Sequence, residues 1–239
     1  MTLELTQPRK AVVFDFDGTL VDTLPGLIAA TNHVLAHAGR RAIPLDEGRT
    51  MMLGGGAPRL LERAFRATGE PLTEPDQALT RWRAYYDGCA VTGSALFPDV
   101  VPMLHELTQR GVALGICTSK PLGSTLQILN ALDLRGFFGS VLGKDCTPTP
   151  KPHPGHLRAV LTELEAENEN SVMVGDRNPD VEVARATGVS SVLVTHGYTS
   201  GPHEALGADA VIGGFADLVG LLDTWWARQD PSEGQGGDS

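Results

Sequence analysis

Asp15 and Asp17 stand two residues apart at the end of an apolar run, Ala11-Val12-Val13-Phe14, and Gly18 follows them. The run reads as a short strand buried on both faces. Gly18 allows the chain a sharp turn that other residues resist. The carboxyl ends of parallel strands are where open α/β sheets gather their reactive groups. One aspartate in that place could attack an electrophile or bind a metal, and the other could move a proton. Three more sets of residues fall in comparable positions. Thr118-Ser119-Lys120 follows an apolar run at 112–117, Lys151 lies in the proline-rich loop 147–154, and Asp176 and Asp180 follow an apolar run at 171–174. The successive intervals from Asp15 to Thr118, Lys151 and Asp176 are 103, 33 and 25 residues. These suit strand–helix–strand steps, with an insertion lengthening the first.

Phosphoryl transfer gives each of these residue types a task. A carboxylate nucleophile and a phosphate dianion repel, and two unit charges ~4 Å apart cost roughly 4 kcal/mol at an effective dielectric of 20. A metal ion and a lysine offset that repulsion. Asp15 and Asp176 offer hard oxygen ligands suited to Mg2+. Thr118 can donate its hydroxyl to a phosphoryl oxygen, and the backbone amides of Asp17, Gly18 and Ser119 can complete a cradle. Lys151 supplies a positive charge where negative charge builds. Taken singly the motifs are ordinary: Asp-x-Asp-Gly-Thr is a turn, Asp a common helix N-cap, Lys151 a surface lysine and Thr118 a strand-end hydroxyl. Four of them in this order, each at a strand end or sheet-side loop, favour the chemical reading.

The elements that must position them alternate. After the first strand the pattern is helical for some seventy residues, with helices expected at 27–38, around 60–65 and at 75–87, stopped near Gly39 and Gly69, and no strand between them. Beyond Phe97 the pattern changes. Helices are expected at 100–107, 122–132, 153–164, 179–187 and 215–226, and strands at 112–117, 140–142, 171–174, 191–194 and 210–212. Strands alternating with helices imply an α/β fold with a mainly parallel sheet, interrupted by a helical insert directly after the dicarboxylate turn. The polar, glycine-rich stretch 229–239 reads as a disordered tail.

These residues resemble the four signature loops of the haloacid dehalogenase-like phosphohydrolases. Asp15-Phe16-Asp17-Gly18-Thr19 is similar to the first loop, Thr118 to the second, Lys151 to the third, and Gly175-Asp176 through Asp180 to the fourth. The likeness covers about residues 10–220. It implies a Rossmann-like parallel-sheet core over 1–22 and 96–228 with a small all-helical cap over 23–95. It also implies roles. Asp15 would attack phosphorus and form an aspartyl-phosphate, and Asp17 would protonate the leaving alcohol and then deprotonate water. Mg2+ would be held by Asp15, the Asp17 carbonyl oxygen and Asp176, with Asp180 supporting that shell. Thr118 and Lys151 would hold the phosphoryl group, with Gly18 and Ser119 beside it. Dehalogenases of the superfamily lack an aspartate at position 17 and phosphonate-cleaving relatives carry alanine, so Asp17 implies a phosphatase or phosphomutase.

Within the superfamily, 14–23, 117–121, 151–154 and Gly197-Tyr198 resemble the phosphoglycolate phosphatases, as does 49–57 in the insert. Gly54 and Gly55 could let that loop approach a two-carbon substrate, and Arg49 or Arg59 could reach its carboxylate. A flexible linker with solvated arginines is the other reading. Three departures stand out. Ser119 replaces a common asparagine, Arg177 stands where small polar residues are usual, and Gly55-Gly56 suggests a looser loop. Arg177 could add a cation beside the phosphate, bind Asp180 or shift metal affinity. The resemblance implies hydrolysis of 2-phosphoglycolate, with three other readings open. They are a sugar-phosphate mutase, a phosphatase for a phosphosugar, nucleotide or pyrophosphate, and a catalytically silent phosphate-binding protein.

Composition bounds these readings. The chain has 239 residues, a hydrophobic fraction of 41% and a formal net charge of −10. A diffuse acidic surface argues against nucleic acid and anionic membrane as partners and leaves a small phosphorylated metabolite. Three scattered cysteines form neither a disulfide framework nor a zinc pattern, and Cys117 reads as a core residue. His33 and His37 have metal-compatible spacing but no acidic partner, so they read as exposed, and His153 as ordering the lysine loop. Trp225 and Trp226 read as packing on the sheet, with a dimer contact as the other reading, so monomer and homodimer both stand. The absence of a leader or spanning segment reads as a cytoplasmic protein.

Overall fold

In the computed structural model of the chain, residues 9–52, 54–199 and 201–229 are described. The apolar runs become strands. β1 (Ala11–Phe14), β4 (Ala113–Cys117), β5 (Ser140–Leu142), β6 (Ser171–Gly175), β7 (Ser190–Val194) and β8 (Ala210–Ile212) form one sheet in the order β5-β4-β1-β6-β7-β8. Every pairing in it is parallel. Two further strands of two residues each, β2 (Val21–Asp22) and β3 (Ala95–Leu96), pair antiparallel outside the sheet. The helices are α1 (Leu24–His37), α2 (Leu45–Thr50), α3 (Gly56–Thr68), α4 (Pro75–Cys89), α5 (Val100–Gln109), α6 (Leu122–Ala131), α7 (Pro154–Glu163), α8 (Asn178–Thr187) and α9 (Leu218–Gln229).

Alternation along β1 divides the core into two layers. Val12 and Phe14 face Leu104 and Leu107 of α5, Ile128 and Leu129 of α6, and Leu218 and Leu222 of α9. Ala11 and Val13 face Leu157, Val160 and Leu161 of α7 and Val183 and Ala184 of α8. Burying one such aliphatic side chain contributes about 1.5–3 kcal/mol. Trp226 is buried in the first layer with Lys10 over its ring, and Trp225 packs against the same layer, as expected of sheet-packing residues.

The insert consists of α1 to α4 and hangs from the β2–β3 pair. Its apolar stripes, including Leu35 of α1, Leu61 and Phe65 of α3 and Trp82 of α4, belong to one buried cluster continuous with the first sheet layer. The Trp82 indole donates to Thr31 Oγ1 at 3.1 Å, which satisfies both groups inside it. Two features differ from the expectation. No helix is expected at 45–50, because Leu45-Asp46-Glu47-Gly48-Arg49-Thr50 offers no apolar periodicity, yet α2 forms there. The β2–β3 pairing was not expected either; strands of two residues have no readable period. Of the segment expected to be disordered, Gln229 closes α9 and 230–239 lie outside the described residues.

Candidate active site

Sheet register gathers the reactive side chains. Phe14 pairs with Ile116 on one side and Val174 on the other, so Asp15 leaves β1 between the ends of β4 and β6. The Asp15 amide still donates to the Val174 carbonyl at 2.8 Å. Thr118 leaves β4 with its amide on the Leu142 carbonyl, 3.1 Å away, and is buried. Asp176 follows β6 directly, and Asp180 lies in the first turn of α8.

Asp15 Oδ1 accepts from the Phe16 amide at 2.7 Å and lies 3.1 Å from Lys151 Nζ. Lys151 also donates to Asp180 Oδ1 at 2.6 Å. The other Asp180 oxygen accepts from the amides of Asp176 and Arg177, at 3.2 and 3.1 Å. Asp180 thereby fixes both the lysine and the loop after β6. Asp176 Oδ2 accepts from the Tyr198 amide at 2.7 Å, and Oδ1 lies 3.5 Å from the Thr19 hydroxyl. Asp15, Asp176 and Asp180, all buried, each present an oxygen within 4.8 Å of the others, a set that could hold a metal ion. Arg177 also reaches this group, with Nη2 3.8 Å from Asp15 and Nε 3.5 Å from Asp176.

Burial makes these charges expensive, and the cations decide which are tolerated. Burial raises the Asp15 carboxyl, but Lys151 and Arg177 outweigh it and hold Asp15 below its ordinary value. Burial, with Asp180 and Asp15 nearby, pushes Asp176 up to about 7 against the pull of Arg177. Asp180 is raised too, by burial and by Asp15, in spite of Lys151. Burial opposes the charge on Lys151, yet Asp15 and Asp180 keep it firmly protonated. Three carboxylates against two cations leave negative charge unbalanced, and hard oxygens in that state suit a divalent ion.

Gly18 shapes the floor of the site. Its φ is +83°, and a Cβ there would lie 2.6 Å from Asp176 Oδ2 and 2.9 Å from the Tyr198 ring. Only glycine fits both the conformation and the space.

Asp17 faces the insert rather than the acidic cluster. Its Oδ1 accepts from the Thr23 hydroxyl at 2.8 Å and from Lys120 Nζ at 3.1 Å. Lys120 is buried and donates also to the Tyr86 hydroxyl of α4, 2.6 Å away, so a three-residue chain links Asp17 to the insert. The Tyr198 hydroxyl accepts from the amides of Thr23 and Leu24, at 2.7 and 3.0 Å, and donates to Asp22 at 2.9 Å. Tyr198 thus joins Asp176 to the point where the insert begins. Arg49 Nη1 donates to the Gly197 carbonyl at 2.8 Å, and the guanidinium lies 5.6 Å from the Tyr198 ring centre.

The other expected site residues are not drawn into this group. Arg59 is exposed and paired with Glu62 at 2.6 Å. Gly54 and Gly55 have φ of +84° and +82°, and the Gly54 carbonyl accepts from Arg63 at 3.0 Å, which ties the loop to α3. Ser119 is exposed. His153 caps α7, its Nδ1 accepting from the Gly155 amide at 3.0 Å. His156 flanks the lysine loop in the sequence, but its contacts could not be read there. Its Nδ1 accepts from the Lys151 amide at 3.1 Å, which leaves Nε2 to donate to the Leu142 carbonyl, also at 3.1 Å. Burial and nearby Lys151 lower its pKa and keep it neutral. Lys120 and Tyr86 were missed as well, since their pairing spans 34 residues and exists only in the folded chain.

Comparison with known proteins places this geometry. Residues 12–194 match a family model described as haloacid dehalogenase-like hydrolase. The chain is 41% identical over 210 residues to the phosphoglycolate phosphatase of Caulobacter vibrioides, covering 87% of this chain and 88% of that protein. It is 41% identical over 218 residues to the phosphoglycolate phosphatase of Rhodospirillum rubrum, covering 87% and 89%. The crystal structure of a protein from Haemophilus somnus, described as a predicted phosphoglycolate phosphatase, is similar at a TM-score of 0.81 and 28% identity. That match covers 89% of this chain and 97% of the other.

Proposed function

The chain belongs to the haloacid dehalogenase-like hydrolases, and from that premise we propose that it is a Mg2+-dependent phosphatase hydrolysing 2-phosphoglycolate to glycolate and phosphate. One observation carries the reading. Asp15 is buried at a strand end with Lys151 3.1 Å away and a second carboxylate, Asp17, two residues further on, turned toward the insert.

Asp15 acts as the nucleophile. Its carboxylate attacks phosphorus, the bond from phosphorus to the glycolate oxygen breaks, and an aspartyl-phosphate forms. Asp17 gives a proton to the departing oxygen, then takes one from the water that cleaves the aspartyl-phosphate and frees Asp15. Thr23 and Lys120 hold the Asp17 carboxylate in place for both transfers. Lys151, Thr118 and the amides of Asp17 and Ser119 stabilise the phosphoryl oxygens; the Gly18 amide, expected to join them, instead donates to the Val21 carbonyl at 2.9 Å. The donor set fits a hard divalent ion, being clustered carboxylates one of which is pushed up to about 7 without it. Asp15, Asp176 and the Asp17 carbonyl would hold Mg2+, and Asp180 would position Lys151 and the loop around them. When bound, the ion supplies positive charge against the phosphoryl oxygens.

The substrate rests on the relatives, two of which are phosphoglycolate phosphatases sharing 41% identity. The insert over 23–95 serves as the cap that selects the leaving group. Arg49, anchored at Gly197, is the cation for the substrate carboxylate, with Gly54 and Gly55 in the neighbouring loop. Among the described residues no helix is long and apolar enough to cross a membrane. A cytoplasmic site of action is proposed on composition. The test is phosphate release across phosphorylated metabolites with Mg2+, where 2-phosphoglycolate is expected to have the highest kcat/KM. Equal or better values for phosphosugars, nucleotides or pyrophosphate would reject the substrate. Isomerisation of a sugar phosphate without phosphate release would replace the hydrolase by a mutase.

A further inference from the structure

Arg177 introduces a cation into the acidic cluster. Its Nη2 is 3.8 Å from Asp15 Oδ2 and its Nε 3.5 Å from Asp176 Oδ1. These are the two carboxylates assigned above to the metal. Nε is buried and has no hydrogen-bond partner among the described residues. The separations exceed the 2.7–2.9 Å or so of a seated charge-assisted pair. The guanidinium is therefore held by charge rather than locked by a fork of hydrogen bonds. Its backbone, by contrast, is fixed: the Arg177 amide donates to Asp180, and its carbonyl accepts from the Asp180 amide at 3.0 Å. The side chain is 17% exposed, so part of it already meets solvent.

We propose that Arg177 is a resident cation that competes with the divalent ion for Asp15 and Asp176, and so sets the concentration at which the metal binds. This rests on the reading that those two carboxylates hold Mg2+. With all three buried carboxylates ionised, Lys151 alone would leave two negative charges uncompensated, and Arg177 reduces that to one. The metal-free fold is stabilised by that pairing, because an unpaired buried charge is costly. The same pairing lowers the attraction for a dication, since guanidinium and metal repel and both need the same oxygens. A phosphate dianion reverses the balance. It gives the displaced guanidinium an anion to meet, so phosphate and Mg2+ reinforce each other's binding more strongly when Arg177 is present.

Calorimetry of Mg2+ binding to the full chain tests this, using wild type, Arg177→Gln and Arg177→Lys, each with and without inorganic phosphate. Arg177→Gln is expected to bind Mg2+ at least fivefold more tightly. Its metal-free form should melt several degrees lower in EDTA, with the gap closing at saturating Mg2+. Phosphate should tighten Mg2+ binding more in wild type than in Arg177→Gln. Arg177→Lys, which keeps a charge on a different head group, should fall between the two and serves if Arg177→Gln does not fold. Equal or weaker Mg2+ affinity in the variants would overturn the proposal. Absence of Mg2+ binding in wild type and variants alike would overturn the metal reading beneath it, and the proposal with it.

Discussion

Asp15 and Asp176 are both buried, yet their carboxyl groups are driven in opposite directions. Asp15 has Lys151 and Arg177 against it, which overcome desolvation, so it stays ionised, as the proposed nucleophile must. Asp176 has Arg177 in its favour but Asp180 and Asp15 against it, and sits at about 7. The metal-free folded protein therefore keeps a proton on Asp176 at pH values where the unfolded chain has lost it. Folded protein binds more protons than unfolded between the ordinary carboxylate value and about 7, so this contribution to stability falls as pH rises across that window. Asp176→Asn is expected to be more stable than wild type in EDTA at pH 8, with the difference shrinking toward pH 4. Urea denaturation at several pH values checks it; a difference that grows on acidification would contradict it. Asp17 asks for a different test. Asp17→Asn removes the proposed proton carrier but leaves the carbonyl that the proposal offers to the metal. It is expected to lower kcat by about 10²–10⁴-fold while Mg2+ binding, read by calorimetry, is retained.

At the scale of elements, the site depends on turns and on the stem of the insert. Gly18 closes the turn after β1 at φ +83° with Asp176 immediately above it. Gly18→Ala is expected to destabilise the protein by at least about 1–3 kcal/mol and to weaken metal binding, measured by thermal melts with and without Mg2+. The strands around this turn were legible because Ala11-Val12-Val13-Phe14 and its counterparts are apolar on both faces, and both faces are covered. The order of Asp15, Thr118, Lys151 and Asp176 was legible because each follows such a run or precedes a helix. What could not be read is tertiary. Lys120 is an ordinary lysine until Tyr86 and Asp17 close around it. His156 is a core histidine whose role depends on the fold of the loop at Lys151. Tyr198 could be noticed as a residue after a strand, but its bonds to Asp22, Thr23 and Leu24 bridge more than 170 residues. The helix α2 carries Arg49 to Gly197, a contact that no local pattern in its six residues could announce.

Across the whole molecule, sheet and insert share one buried cluster running from Val12 and Phe14 to Leu61 and Trp82. Such continuity argues for a single cooperative unfolding transition rather than separate melting of the insert. Leu61→Ala, at a fully buried position in α3, is expected to cost ~2–5 kcal/mol and to lower one calorimetric transition without splitting it. Two separate transitions would show that the insert unfolds alone. The proposed chemistry, too, belongs to the assembled molecule, since it draws on β1, β4, β6, the Lys151 loop and the insert together. The most direct test is phosphate release from 2-phosphoglycolate by wild type and Asp15→Asn, each with Mg2+ and with EDTA. Turnover by wild type that requires Mg2+ and is abolished in folded Asp15→Asn is the predicted result. Persistent turnover by Asp15→Asn, or undiminished turnover in EDTA, would contradict the assignment of Asp15 as a metal-assisted nucleophile.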